Sequence, residues 1–273
     1  MTRKAIFIIS GLFLHFICLG QSTGWEKIFT IEKANISILD LDNSGKILLA
    51  DSKGNLTQYD EKGDSVNSYS PTIQGKLSQL EARRSLNIFT FSYDLQRFEI
   101  LDRFLNPLSS SSLRNTRLGN IKAASLGNNQ KLWLYDETDF SLIQYDYQRN
   151  TVLQKQALNL IIDDPSLTVL EVTEYQNTVF INIKEKGIYL FDNQGNFIKS
   201  LPVLTEQKLS FHGNNLLTTS GDQLLITGYT SKKQKAVSLP LENVKLSVGA
   251  NMILLYGPNK ITAYKLPFDL FES

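Results

Sequence analysis

Short runs of β-forming apolar residues dominate the chain from residue 25 onward. The runs are rich in Ile, Leu, Val, Phe, Tyr and Thr, and Gly, Asn, Asp or Ser interrupts them every eight to twelve residues. An amphipathic helix would place apolar residues three or four positions apart over a longer segment, and that spacing is almost absent. The pattern therefore predicts an all-β protein built from short strands and tight turns.

The strands recur in a unit of about 40 residues. One apolar run in each unit ends at an aromatic residue or Leu, and in most units Asp and a polar turn follow it. These marker residues lie 42, 44, 46, 38 and 35 positions apart and are Tyr59, Leu101, Tyr145, Phe191, Tyr229 and Tyr264. Two apolar runs precede each marker, as in "ISILDLD" and "KILLAD", and a fourth follows most of them. Six such units predict a six-bladed β-propeller of four-stranded antiparallel blades.

The two ends of the chain favour a closed ring. The sixth unit stops near Leu266 with three strands, and the segment "WEKIFTIEK", Trp25 to Lys33, is a strand left over before the first unit. We expect this N-terminal strand to complete the last blade, because the pairing would close the ring and cover an exposed edge. A ring of seven blades is the structural alternative. The prediction is a single propeller domain over residues 21–273.

Two segments resemble a known group of propellers. "YDEKGDSV" and "YLFDNQGNFIKSLP" are similar to the third and fourth strands of blades in bacterial exported six-bladed propellers of the NHL and TolB-like type. The resemblance is one of repeat style, and it extends over essentially the whole predicted mature chain. WD40 and kelch repeats match less well, because the chain has no Trp-Asp pair at a blade end and no Gly-Gly pair at a strand start.

The first 20 residues are typical of a secretory signal peptide. A basic start at Arg3 and Lys4 precedes a short apolar run, and Cys18 and Gly20 suit signal peptidase, so the mature chain is predicted to begin at Gln21. A lipoprotein modified at Cys18 and an uncleaved anchor are the alternatives. Export predicts a periplasmic protein, with a surface-associated or secreted one as the alternative.

Removal of the leader narrows the possible chemistry. Cys18 is the only cysteine, so the mature chain would have no disulfide, thiolate nucleophile or cysteine metal ligand. Loss of Arg3 and Lys4 leaves 26 basic and 27 acidic residues. This near-neutral balance does not favour nucleic acid or an anionic membrane surface as a partner. No cofactor is expected, and no transmembrane segment is expected in the mature chain.

The segment "DLDNSGKILLAD", Asp40 to Asp51, has oxygen-bearing side chains where the first half of an EF-hand loop needs them. Its flanks are strand-like, and "DNSG" occupies the same place in its unit as "GNNQ" and "HGNN" do in theirs. We therefore favour the turn between the first two strands of a blade. Asp40, Asp42 and Ser44 remain the candidates for a metal site.

Other candidate residues are interpreted as parts of turns. Asp192 follows a marker residue and is expected to cap the turn after the third strand, since Asp60, Asp102 and Asp146 occupy the same place in other units. His212 is the only histidine after the leader, and its segment "FHGNN" predicts an exposed turn residue more than a general base. No catalytic residue is predicted.

One enzymatic alternative remains. Some six-bladed propellers, the gluconolactonase-like group, hold a metal in the central channel with carboxylates and Asn from the innermost strands. The first strands of the units here carry Asp40, Glu81, Glu171 and Glu174. The alternative function is therefore a metal-dependent hydrolase or lactonase, and a propeller that binds carbohydrate or peptide is a third.

Arginine is concentrated in the second unit. Six of the seven arginines after the leader lie between positions 83 and 117. The candidates for a partner-binding edge are Arg83, Arg84, Arg103, Arg114 and Arg117. The first three are expected on one end face of the ring and the last two on the other. The nearby segment Leu108 to Leu113 is expected to form a flexible loop, and the tail residues Phe268, Leu270 and Phe271 are expected to pack under the ring.

These observations favour a non-enzymatic exported propeller. Its leader, its complete ring and its lack of a convergent catalytic set are typical of a scaffold that binds another protein. The predicted partner is a protein of the cell envelope or outer membrane.

Overall fold

The computed structural model describes residues 24–83, 86–114, 116–163, 167–231, 233–267 and 270–271. The predicted leader and Gln21 lie outside these ranges. The described residues form 24 strands and one 3-10 turn, Leu158–Leu160. Among them, no helix is long and apolar enough to cross a membrane.

The strands are numbered in chain order. The first nine are β1 (Lys27–Glu32), β2 (Ile38–Leu41), β3 (Ile47–Ala50), β4 (Leu56–Tyr59), β5 (Ser65–Tyr69), β6 (Gln79–Glu81), β7 (Asn87–Ser92), β8 (Arg97–Asp102) and β9 (Pro107–Ser112). The next eight are β10 (Ile121–Leu126), β11 (Leu132–Asp136), β12 (Ser141–Asp146), β13 (Thr151–Ala157), β14 (Val169–Tyr175), β15 (Thr178–Ile183), β16 (Gly187–Phe191) and β17 (Phe197–Leu201). The last seven are β18 (Ser210–His212), β19 (Asn215–Ser220), β20 (Gln223–Gly228), β21 (Gln234–Ser238), β22 (Lys245–Val248), β23 (Met252–Tyr256) and β24 (Lys260–Lys265).

The strands pair into six antiparallel sheets of four, which are the blades of a six-bladed propeller. Blades 1 to 5 are the consecutive meanders β2–β5, β6–β9, β10–β13, β14–β17 and β18–β21. Their first strands are the innermost and line the central channel. The prediction of an all-β, six-bladed ring is confirmed, and the alternative of seven blades is wrong.

Blade 6 is shared between the two ends of the chain. Its order is β1-β24-β23-β22, so the N-terminal strand forms its outer edge. Thr30 lies opposite Thr262 and Ile31 lies opposite Ile261 in this antiparallel pair. The prediction that the leftover strand closes the ring is confirmed. Closure ties strands more than 200 residues apart into one sheet.

Both faces of the middle strands are buried, which explains why their sequences are continuously apolar. In β3, Ile47 and Leu49 pack against blade 6, whereas Leu48 packs against blade 2. Among the described residues, one apolar cluster fills each of the six interfaces between blades. A blade on its own would leave both of these faces in water, so the ring is the unit that buries its core.

Aspartate residues after the third strands cap the next turn, as the sequence predicts. Asp60 Oδ1 accepts the N–H groups of Lys62 and Asp64, both at 2.9 Å. These N–H groups hold the pKa of Asp60 below its ordinary value. Asp102 and Asp192 accept N–H groups two and four residues further on in the same way. Side-chain oxygens thus replace missing backbone partners in the turns.

One local prediction is wrong. Most of the segment Leu108 to Leu113 belongs to β9, the outer strand of blade 2, and does not form a loop. Its backbone pairs with β8, with Ser109 opposite Ile100 and Ser111 opposite Phe98. The outermost strand of a blade has its outer edge in water. Pairing of its backbone with the neighbouring strand is therefore enough to hold it in the sheet, and apolar side chains are not required. Because of its four serines, the segment lacks the apolar pattern that predicted the other strands.

Ring closure is testable at β1. Ile31 is 7% exposed and packs in the cluster between blades 6 and 1, whereas Ile28 in the same strand is 46% exposed. We expect Ile31→Ala to lower the free energy of unfolding by about 2–4 kcal/mol, because it removes buried methyl groups and leaves a cavity. The matched variant Ile28→Ala should change it by no more than about 0.5 kcal/mol. Denaturant titration measures both values, and equal effects would contradict this role of β1.

Candidate functional site

The inner strands are linked around the channel by side chains that bind the backbone of the next blade. A side-chain oxygen of each blade from 1 to 5 accepts an N–H group of the blade that follows. The pairs are Asp40 Oδ2 with Ala82 N at 2.8 Å, Glu81 Oε2 with Leu126 N at 3.1 Å, Ser125 Oγ with Glu174 N at 3.1 Å, Glu171 Oε2 with Leu209 N at 2.7 Å, and Ser210 Oγ with Val248 N at 3.1 Å. Ser247 Oγ of blade 6 donates to Asp40 Oδ1 at 3.4 Å and completes the circuit.

Asp40 is the most heavily engaged of these residues. Its carboxylate accepts the Ala82 N–H and forms an ion pair with Lys208 Nζ of blade 5 at 2.7 Å. Burial opposes ionisation of Asp40, but the charges of Lys208 and Arg83 and the Ala82 N–H outweigh it. The pKa of Asp40 therefore lies below its ordinary value. The ion pair joins blades 1 and 5 in addition to the circuit.

Glu171 has a different electrostatic environment. Burial raises the pKa of its carboxyl to about 7, although the charge of Lys208 and the N–H of Leu209 act in the opposite direction. Glu81 also contributes to the rise as a nearby like charge. Gln79 Nε2 lies 3.4 Å from Glu171 Oε1 and 3.0 Å from Glu81 Oε1, so it bridges the two carboxyls.

Glu174 lies on the same strand, nearer the end of the channel. It accepts the indole N–H of Trp133 at 2.8 Å and the backbone N–H of Asn128 at 3.2 Å. The sequence expectation that Asp40, Glu81, Glu171 and Glu174 come from the innermost strands is met. Each of these carboxyls accepts hydrogen bonds from an adjacent blade, so each helps to hold the ring together.

The residues of the candidate calcium segment lie in two different environments. Asp42 accepts the backbone N–H groups of Ser44 and Lys46, both at 2.8 Å, and the Ser44 hydroxyl. Asp40 is bound instead to Lys208 and Ala82. The segment forms the hairpin between β2 and β3. In the described part of the chain, no cluster of three or more His, Cys, Asp or Glu is placed to hold a metal ion.

A cavity of about 350 Å³ opens at one end of the channel. Residues of the turns between first and second strands form its rim, including Asn43, Asn128, Gln176 and Gly213. Asp40 and Lys208 lie among the lining residues, and Tyr175 and Phe211 contribute aromatic surface. We call this cavity and its rim the channel mouth.

Arg83 is the cation of the channel mouth that reaches furthest across the ring. It follows β6 in blade 2, and its Nη1 donates to Phe211 O at 2.7 Å in blade 5. Nη2 lies 3.3 Å from Val248 O in blade 6. The guanidinium carbon lies 5.2 Å from the centre of the Tyr175 ring and 5.8 Å from that of Phe211. These two rings are stacked, with centres 4.7 Å apart.

The structure does not gather the candidate arginines into one pocket. Arg103 lies over the ring of Phe104 at 4.8 Å, whereas Arg114 donates to Asp94 O at the turn between β7 and β8. Arg117 is exposed, and Arg84 lies outside the described residues. Of the described candidates, Arg83 is the one that lines the channel mouth.

His212 is not an exposed turn residue, so that prediction is wrong. It is the last residue of β18 and is half-buried, with Nδ1 3.1 Å from Gly249 O and its ring stacked on Phe271 at 4.3 Å. Leu270 is buried in the cluster between blades 5 and 6, so this part of the tail packs as expected. Phe268 lies outside the described residues.

Sequence reasoning missed several residues that build the channel. Lys208, Tyr175 and Phe211 meet at the mouth from blades 4 and 5. Ser125 and Ser210 were not recognised as links between blades. Their position in the repeat could have indicated this role, because they lie in first strands where other units carry Asp or Glu. A short hydroxyl can accept the same backbone N–H as a carboxylate when the two strands are close enough.

The circuit around the channel can be tested at Asp40. We expect Asp40→Ala to lower the free energy of unfolding by about 3–5 kcal/mol, because it leaves the partly buried ammonium of Lys208 without its ion-pair partner and the Ala82 N–H without an acceptor. The exposed residue Asp64 of the same blade provides a control, and Asp64→Ala should change stability by no more than about 0.5 kcal/mol. Adding Lys208→Met to Asp40→Ala should restore part of the loss, and denaturant titration measures each variant. A full loss that persists in the double variant would contradict the ion-pair argument.

The pKa of Glu171 predicts a pH dependence. The folded value of about 7 lies above the ordinary value of 4.5, so the folded state binds more protons between these values. The stability that this proton provides is present below pH 4.5 and is lost as the pH rises through 7. Glu171→Gln cannot ionise, so its stability relative to the wild type should rise by roughly 2–3 kcal/mol between pH 5 and 8. Denaturant titrations at each pH test this, with the exposed Glu61→Gln as control, and a constant difference for Glu171→Gln would contradict it.

No family model matches the chain, and no curated protein sequence matches it. Solved structures do resemble it in fold. The β-propeller domain of Cps50 (Swd1) from Myceliophteria thermophila aligns with a TM-score of 0.63 and 10% identity, over 89% of this chain and 99% of that one. Virginiamycin B lyase from Staphylococcus aureus, in a catalytically inactive variant with quinupristin, aligns with a TM-score of 0.57 and 11% identity, over 86% and 82%.

A third structure is PorZ from Porphyromonas gingivalis, described as an essential bacterial surface component of the type-IX secretion system. It aligns with a TM-score of 0.56 and 13% identity, over 87% of this chain and 33% of PorZ. Identities this low show a shared fold alone. The protein is a six-bladed β-propeller, and its function has to be argued from its own residues.

Proposed function

We propose that the protein is a non-enzymatic β-propeller that is exported by a bacterium and binds another protein of the cell envelope. The channel mouth is the proposed contact surface. The observation that carries the proposal is the composition of this surface, where Arg83 lies against the stacked rings of Tyr175 and Phe211. Arg and Tyr are enriched among the residues that contribute most to protein–protein binding, and such residues cluster in desolvated pockets.

The architecture supports a binding role. The mouth is formed by turns from separate blades, and the links between inner strands hold those turns in fixed relative positions. A rigid surface loses little conformational entropy on binding, which favours affinity. A scaffold role is also consistent with the channel carboxyls, which bind N–H groups of neighbouring blades.

The proposed location has a separate basis. Residues 1–20 have the basic start, apolar run and small residues of a secretory leader. Once the leader is removed, the mature chain would have no cysteine, which suits an envelope protein that does not depend on disulfides. PorZ is a surface component of a secretion system, and a role of that kind, as one subunit of an envelope assembly, is the one proposed here.

The test is capture of the partner from native cells. We expect crosslinking in intact cells, followed by affinity isolation from solubilised envelopes, to recover one envelope protein in near-stoichiometric amount. Its recovery should fall for a chain with bulky substitutions at the rim, such as Asn43→Trp with Asn128→Trp. Matched substitutions at Lys53 and Asp222, exposed residues in turns between second and third strands at the other end of the ring, should leave recovery unchanged. Isolation of the monomer alone at native expression would contradict the proposal.

A further inference from the structure

We infer that the channel mouth binds a carboxylate side chain from an acidic segment of the partner, with Arg83 as the residue that contacts it. This inference rests on the proposed function, because it specifies the chemistry of the protein that the mouth accepts. It concerns one cation and its immediate surroundings.

The first argument is the charge of Arg83. Its described partners are two backbone carbonyl oxygens, Phe211 O and Val248 O, and no carboxylate of the described residues lies within 4.0 Å of its guanidinium. A guanidinium carries five N–H donors, and these two hydrogen bonds use two of them. The remaining donors form a planar fork that matches a carboxylate. Arg83 therefore has both the charge and the geometry to bind one.

The second argument is the environment of that charge. Arg83 is partly buried and lies near the ring centres of Tyr175 and Phe211. Aromatic faces and carbonyl oxygens hold a cation in place without neutralising it. Arg83 also stabilises the ionised form of Asp40, but the ion pair of Asp40 is with Lys208. A charge with reduced hydration attracts an opposite charge more strongly than one in bulk water. An incoming carboxylate would therefore gain more here than at an exposed arginine such as Arg114.

The third argument concerns the acidic residues of the mouth itself. Asp40 is bound to Lys208 and to the Ala82 N–H, so its carboxylate serves blades 1, 2 and 5. Glu81 and Glu174 accept backbone N–H groups of blade 3. A move of any of these carboxyls toward Arg83 would break a link between blades. Arg83 therefore stays available while the ring keeps its form.

The same acidic residues make the channel mouth selective among anions. They repel a compact multiply charged anion such as phosphate more than a single carboxylate on a neutral peptide backbone. The volume of about 350 Å³ lies at the lower end of the range for ligand pockets, which suits one side chain and its neighbours. The amide group of Asn43 at the rim can pair with the peptide backbone.

The first experiment uses the full mature chain and synthetic peptides. Calorimetric titration compares acetyl-Gly-Gly-Glu-Gly-Gly-amide with its Gln and Lys counterparts and with inorganic phosphate. We expect the Glu peptide to bind at least about tenfold more tightly than each of the other three, because it alone combines a single carboxylate with an amide backbone. Equal binding of the Gln peptide, tighter binding of the Lys peptide, or phosphate binding as tight as the Glu peptide would overturn the inference. So would a lack of heat with the Glu peptide at millimolar concentration.

The second experiment assigns the contact to Arg83. Arg83→Met should weaken binding of the Glu peptide at least about tenfold, and Arg83→Lys should fall between it and the wild type, since it keeps the charge but loses the fork. Arg114→Met removes an arginine on the other end face and should change affinity by less than about twofold. Unchanged binding in Arg83→Met would overturn the assignment. If that variant does not fold, the peptide comparison with the wild-type chain still decides.

The two proposals fail in different ways. Absence of a captured envelope protein would count against the proposed function, whatever the peptides do. Capture that is equal for the wild type and Arg83→Met would leave the function in place and overturn the role of the carboxylate.

Discussion

The hydrogen bonds between neighbouring inner strands are the constraint on which the ring depends. An inner strand has a free edge toward the channel, and a polar backbone edge left unpaired in a narrow space is costly. In this protein, an Asp, Glu or Ser side chain of each blade from 1 to 5 accepts an N–H group of the blade that follows. Apolar packing brings the blades together, but it does not fix their register. The directed hydrogen bonds do, and the strand pairing of β1 with β24 then closes the outer edge.

This constraint changes the meaning of the acidic residues. Asp40, Glu81, Glu171 and Glu174 suggest a metal-binding channel when they are considered as a set of carboxylates in a line of inner strands. In the structure they accept backbone N–H groups, an amide or an indole N–H, and Asp40 is further bound to Lys208. These carboxyls therefore hold the blades of the ring together. The channel mouth differs from the interior, because a cation there lies among aromatic rings.

The sequence predicted the parts of the fold that repeat, namely the number of blades, the position of the strands, the Asp-capped turns and the closing N-terminal strand. It failed where an outer strand needs no apolar residue, as in the Ser-rich β9, and where a residue at the end of a strand packs against a distant segment, as His212 does against Phe271. Contacts across the channel could not be predicted from the sequence either. Asp40 and Lys208 are 168 positions apart, and Arg83 and Phe211 are 128 positions apart. A local pattern holds no information on such pairs.

The repeat also separates structural residues from those that need another reason. A residue type that recurs at one position in most blades is explained by the needs of a blade, as the Asp of the outer turns is in blades 1 to 4. The hydrogen bonds between inner strands align Arg83 with Asp42, Gly127, Tyr175, His212 and Gly249 in the other blades. Asp42 and the two glycines suit a turn. The three larger residues, Arg83, Tyr175 and His212, come from different blades and line the channel mouth together. The guanidinium carbon of Arg83 lies 5.2 Å from the centre of the Tyr175 ring. Departures from the repeat that meet in space are best explained by a ligand that the repeat itself does not require.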